Sequence, residues 1–140
     1  MLLRVPCERK AMKTRTKRIF FVLCCVFALG IGAVTWLNRA SAIDCTLTWG
    51  RLAPFPPSAQ RFTISTEGSM FTRAFRASFV APAADIEQWL QQSPGTREAL
   101  PATPSPGVRH FEIAPGGGAQ HAEATVDDTQ HKVSIYVYWS

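Results

Sequence analysis

From Ile19 to Leu37 the chain has no charged residue and almost no polar one, so apolar side chains would cover every side of a helix. Nineteen residues at 1.5 Å each make a helix of roughly 28 Å, close to the ~30 Å hydrocarbon core of a bilayer. This stretch is read as a single transmembrane helix, with the lipid bilayer as its partner through residues 19–37. Residues 38–59 carry Pro54, Pro56 and Pro57, which deny regular hydrogen bonding, and are read as a stalk. Trp36 would sit at the membrane interface and Trp49 would fold back onto the domain.

From Arg61 the pattern changes to period two. Phe62 and Ile64 share one side, Glu67-Gly68-Ser69 forms a turn, and Phe71, Phe75, Ala77 and Phe79 alternate with polar residues in a second arm from Met70 to Val80. Pro82 suits a first helical turn, and Asp85 and Glu87 complement a helix N-terminus. Ile86, Trp89 and Leu90 then fall at i, i+3 and i+4, giving a short amphipathic helix that ends at Ser93-Pro94-Gly95. The proline-rich segment 96–107 is read as a surface connection. Three strands follow, Val108 to Ala114, Gln120 to Val126 and Lys132 to Trp139. In the last, Val133, Ile135, Val137 and Trp139 are placed inward and Ser134, Tyr136 and Tyr138 outward. Phe111, Ile113, Ala122, Ala124 and Val126 complete the inward set.

The predicted fold is α+β: an N-terminal transmembrane helix, then a small antiparallel sheet in the order β-β-α-β-β-β, packed by one short helix. The predicted organisation is a basic leader over 1–18, the span over 19–37, a stalk over 38–59 and an extracytoplasmic domain over 60–140. A short outer-membrane barrel is excluded, because about eight longer tilted strands would be required.

Charge changes the picture by its distribution. The net charge of +5 conceals a segment 1–42 at +7, with Arg4, Arg9, Lys10, Lys13, Arg15, Lys17, Arg18 and Arg39 against Glu8. The remaining 98 residues carry −2. The basic cluster before the span is an orientation signal that keeps the N-terminus in the cytoplasm and exports residues 43–140, and it gives no reason to expect nucleic-acid binding. Ala40-Ser41-Ala42 has the small-x-small pattern of a signal-peptidase site, so a secreted form cleaved after Ala42 is the alternative to an uncleaved anchor. Gly30 and Gly32 lack the spacing of a GxxxG dimer motif. Cys7, Cys24 and Cys25 precede the end of the span, leaving Cys45 alone beyond it, so the exported part is no disulfide scaffold.

No motif names a reaction. Pro115-Gly116-Gly117-Gly118 lacks the Lys-Ser/Thr of a phosphate-binding loop, no Gly-x-Ser-x-Gly is present, and Asp127-Asp128 reads as a turn. No catalytic residue, cofactor site or metal site is assigned. If the glycine turn closes a hairpin, His110, Glu112, His121 and Glu123 share one outer surface, the basis of an alternative small enzyme or metal-binding protein. The preferred expectation is a non-enzymatic, membrane-anchored module that contacts an envelope protein or itself. Its candidate binding surface is Tyr136, Tyr138, His121 and Glu123.

Overall fold

A computed structural model describes residues 9–69 and 71–140, with side chains of the first helix from Lys17 onward. Residues 1–8, with much of the basic leader and Cys7, and Met70 lie outside the described residues. The chain divides into two compact units, one ending at Asn38 and the other Arg39–Ser140.

Helix α1 runs from Arg9 to Trp49. Within its first unit every described side chain is exposed, including Phe20, Phe21, Phe27, Leu29 and Trp36. The stretch from Lys17 is long and apolar enough to cross a membrane.

The second unit begins with the last turns of α1, followed by β1 (Gln60–Gly68), β2 (Arg73–Val80), α2 (Ala83–Gln92), α3 (Pro94–Glu98), β3 (Ala102–Ser105), β4 (Val108–Ile113), β5 (His121–Asp127) and β6 (Lys132–Trp139). The six strands form one antiparallel sheet in the order β1-β2-β6-β5-β4-β3. The α+β class with its long apolar first helix is the observed one. The strand count is higher by one, because segment 96–107 contains β3, which turns at Pro106-Gly107 and pairs with β4. Proline-rich sequence concealed this strand, yet a four-residue strand at the sheet edge needs few ladder bonds and tolerates Pro104. The amphipathic helix ends at Gln92, at the stop expected from Ser93-Pro94-Gly95, and Pro94 then opens the single turn of α3, where its missing N–H costs nothing.

The core lies on one face of the sheet. Phe75, Ala77 and Phe79 of β2, Val133, Ile135 and Val137 of β6, Ala122, Ala124 and Val126 of β5, and Phe111 and Ile113 of β4 are all buried. Ile86, Trp89 and Leu90 of α2 cover them, with Phe79 set edge-on to Trp89 at 5.3 Å between ring centres.

Residues 38–59 are not a stalk. Arg39–Trp49 is helical and contributes to the core, with Ala42 and Thr46 buried, Cys45 and Leu47 partly so, and Trp49 tilted against Phe75 with ring centres 5.2 Å apart. Residues 50–59 are irregular but packed: Leu52 is buried, Phe55 contacts Phe62 and Phe79, and Trp89 Nε1 donates to the Ala53 carbonyl at 3.0 Å. Ser93 Oγ accepts from the Ala53 N–H, so the prolines are tolerated because side chains replace the missing ladder bonds. Glycines let backbones meet here. A Cβ on Gly95 would lie 2.2 Å from the Gly50 carbonyl oxygen, and the Gly95 N–H donates to the Arg51 carbonyl.

Trp139 also departs from expectation. It has the alternation of an inward residue but is 39% exposed at the end of β6, opposite Arg73, where the sheet has run past the helical cover.

Candidate functional site

The face of the sheet turned away from the core is polar and uncovered, and register decides what meets on it. Ser65, Arg76, Tyr136, Glu123 and Glu112 form one row across five strands. One step along lies a row of four short hydroxyl residues, Thr63, Ser78, Ser134 and Thr125, continued on β4 by His110. The step after that carries Lys132 beside Asp127. Successive rows on one face are about 6.7 Å apart and strands about 4.8 Å apart, so a row of small hydroxyls between taller rows makes a trough running across the strands.

The structure contains that trough, with a volume of about 350 Å³. Thr63, Ser78, Ser134 and Thr125 line its floor, Arg76, Tyr136 and Glu123 one wall, and Lys132 the other. Thr63 Oγ1 and Ser78 Oγ are hydrogen-bonded at 2.8 Å, and His110 Nδ1 bonds Thr125 Oγ1 at 3.1 Å. The Arg76 guanidinium lies 4.3 Å from the Tyr136 ring centre and donates to Glu67, so the wall is held by a cation–π contact and an ion pair. Each hydroxyl both donates and accepts, and the trough is open along its length.

Each residue of the candidate surface is on this face. Tyr136 is opposite Glu123 and Tyr138 opposite His121, all four half-buried. The rings of His121 and Tyr136 lie 6.0 Å apart. His121 Nε2 is 3.2 Å from Glu123 Oε2, and His110 Nε2 is 3.8 Å from the same oxygen. Glu123 is thus shared by two histidines, and Glu112 lies directly across from it on β4. Only Tyr136 and Glu123 of the four line the trough. Among the described residues no group of three or more His, Cys, Asp or Glu side chains has a metal-holding arrangement.

The hydroxyl floor escaped the sequence reading. Thr63, Ser78, Thr125 and Ser134 come from four strands, and a short hydroxyl residue on a strand is unremarkable alone. Only the pairing register brings them into one line. A second cavity of about 480 Å³ lies between the Pro54–Ser58 segment and α2, beside Gln88, Trp89 and Gln92, with the Ser58 hydroxyl donating to Asp85.

Among the described residues two ionisable groups have displaced pKa values, and both serve structure. Arg109 is held charged by hydrogen bonds from its guanidinium to Asp128 and to Glu87, tying β4 to α2 and to the β5–β6 turn. Asp127 is held below the usual carboxylate range, first by the Thr129 hydroxyl and then by the Gln130 N–H, as a turn-forming aspartate. Comparison with protein-family models, curated proteins and solved structures returns no match to this chain.

Proposed function

We propose that the protein is a single-pass, membrane-anchored extracytoplasmic module that binds another envelope protein, without catalysis, through the open face of its sheet. The observation carrying the reading is the trough, whose polar floor and Tyr136 wall give an uncovered, shaped surface on an otherwise self-sufficient domain. Tyrosine supplies contact area at low entropic cost, while hydroxyls and the Glu123 carboxylate supply directional bonds.

The apolar helix and the basic residues before it support a cytoplasmic N-terminus and an exported domain. Burial of Ala42 favours the retained anchor over cleavage. Ala42 is 4% exposed, and its carbonyl accepts from the Thr46 hydroxyl at 2.7 Å, so removing residues through 42 would take a piece out of the core.

Two measurements test the reading. A reporter active only outside the cytoplasm, fused after Ser140, is expected to be active, and activity of a cytoplasm-only reporter there would reverse the topology. A photo-crosslinking residue at Ser134 in the full-length protein should give one discrete adduct, weakened by the trough-filling change Ser78→Trp; an adduct pattern indifferent to Ser78→Trp would remove the trough from the binding surface.

A further inference from the structure

The two edges of the sheet differ. The β3 edge is four residues long and contains Pro104, a short and proline-blocked edge of the kind that resists pairing. The β1 edge is nine residues long, contains no proline, and is exposed along nearly its whole length, with β2 on one side only. From Thr63 to Gly68 its register with β2 is unbroken, so the outer side presents a regular row of backbone groups without partners in the sheet. The bulge at its start places Arg61 at φ 51°, leaving that side chain exposed beside the ladder.

We infer that β1 is a self-association edge: a second copy of this chain adds its own β1 antiparallel across a two-fold axis at Ile64, joining two six-stranded sheets into one. The argument is the strand's self-complementarity. With Ile64 opposite Ile64 of the second copy, Thr63 meets Ser65 within the unbroken part of the strand. Beyond Thr63 the bulge leaves the exposed Arg61, the only basic residue of the strand, at the same two ends of the interface as Glu67, the only acidic one. Faces agree as well, because residues directly opposite in an antiparallel ladder share a face. The polar Thr63 and Ser65 thus extend the open side, and the two Ile64 side chains extend the apolar row that runs through Ala77, Ile135, Ala124 and Phe111. A slip of one residue would bring polar and apolar faces into opposition. The geometry is that of a C2 interface, in which one patch complements itself, and it borders the trough, whose floor begins at Thr63.

Charge reversal in the full-length, detergent-solubilised protein tests this. Arg61→Glu and Glu67→Arg should each weaken self-association about tenfold or more, and the double variant should return to within about threefold of the parent, since swapping both charges restores the pair. Because Glu67 also holds Arg76, a cysteine pairing in a chain lacking Cys7, Cys24, Cys25 and Cys45 gives a reading free of that contact. Thr63→Cys mixed with a differently tagged Ser65→Cys should yield the mixed disulfide, in excess of either like pair. A monomeric parent, an association unmoved by both single reversals, or like pairs forming as readily as the mixed one would each overturn the proposal.

Discussion

The two faces of the sheet are made by the same six strands and have opposite fates. On one, β-branched and aromatic residues are sealed under α2, the end of α1 and the 50–59 segment, and Val133, Val137 and Phe79 reach 0% exposure. On the other, the alternate residues of those strands carry hydroxyls, Tyr136 and charged side chains around an open trough, with His110, His121 and Tyr138 beyond it. Period-two alternation assigns each residue to a face but does not say which face the rest of the chain will cover. Coverage here falls wholly to one side, and the packed core and the open trough are separated by the thickness of a strand.

The largest effect expected from this division is at Trp89. Trp89→Ala removes a buried ring that meets Phe79 and leaves the Ala53 carbonyl without its donor, so a loss of about 3–5 kcal/mol is expected in a denaturant melt of the full chain. Gly95→Ala should follow, at about 3 kcal/mol, because the added methyl must displace the Gly50 backbone. Arg109→Ala, at the rim of the buried face, should cost about 1 kcal/mol, and less at high salt, since its partners Glu87 and Asp128 are largely solvated. Tyr136→Ala on the open face, and Trp139→Ala at the strand end, should each cost about 1 kcal/mol or less. Equal losses for Trp89→Ala and Tyr136→Ala would erase the distinction between the faces.

The smallest effect is a pH dependence at Asp127. Its carboxyl binds a proton less readily in the folded protein than in the unfolded one, so its contribution is present at neutral pH and lost as pH falls through the depressed folded value. Asp127→Asn should therefore flatten the acid limb of the stability curve below about pH 4, while changing little at pH 7. An acid limb identical in both proteins would show that other carboxylates govern it.

Much of the fold is legible in the sequence because strong local signals agree with the final packing. The alternation of β6 and the Ile86, Trp89, Leu90 spacing of α2 are of this kind. The helical continuation through Trp49 was also written, as Ala42, Cys45, Thr46 and Trp49 at i, i+3, i+4 and i+7. Its small and hydroxyl-bearing members make a weak stripe, and the signal-peptidase pattern of Ala40-Ser41-Ala42 competes for the same letters. Trp139 fits an inward position by alternation, yet its exposure is set by where the cover ends, a fact of tertiary structure. The trough was illegible for the same reason, since its floor exists only once four strands are in register.

The position of β6 has a consequence for how the chain comes to fold. It is the last strand in chain order and lies in the middle of the sheet, bonded to β2 on one side and β5 on the other. Until it is in place, the β1-β2 hairpin and the β3-β4-β5 meander are two separate pieces, each with an apolar face and a bare edge. Synthesis from the N-terminus therefore delivers the keystone after everything it must join, and its contacts with β2 close a loop of about fifty residues that carries an entropy cost before any packing compensates it. The nascent domain cannot close its sheet until β6 arrives, and its bare edges and apolar faces must be shielded from aggregation while that lasts.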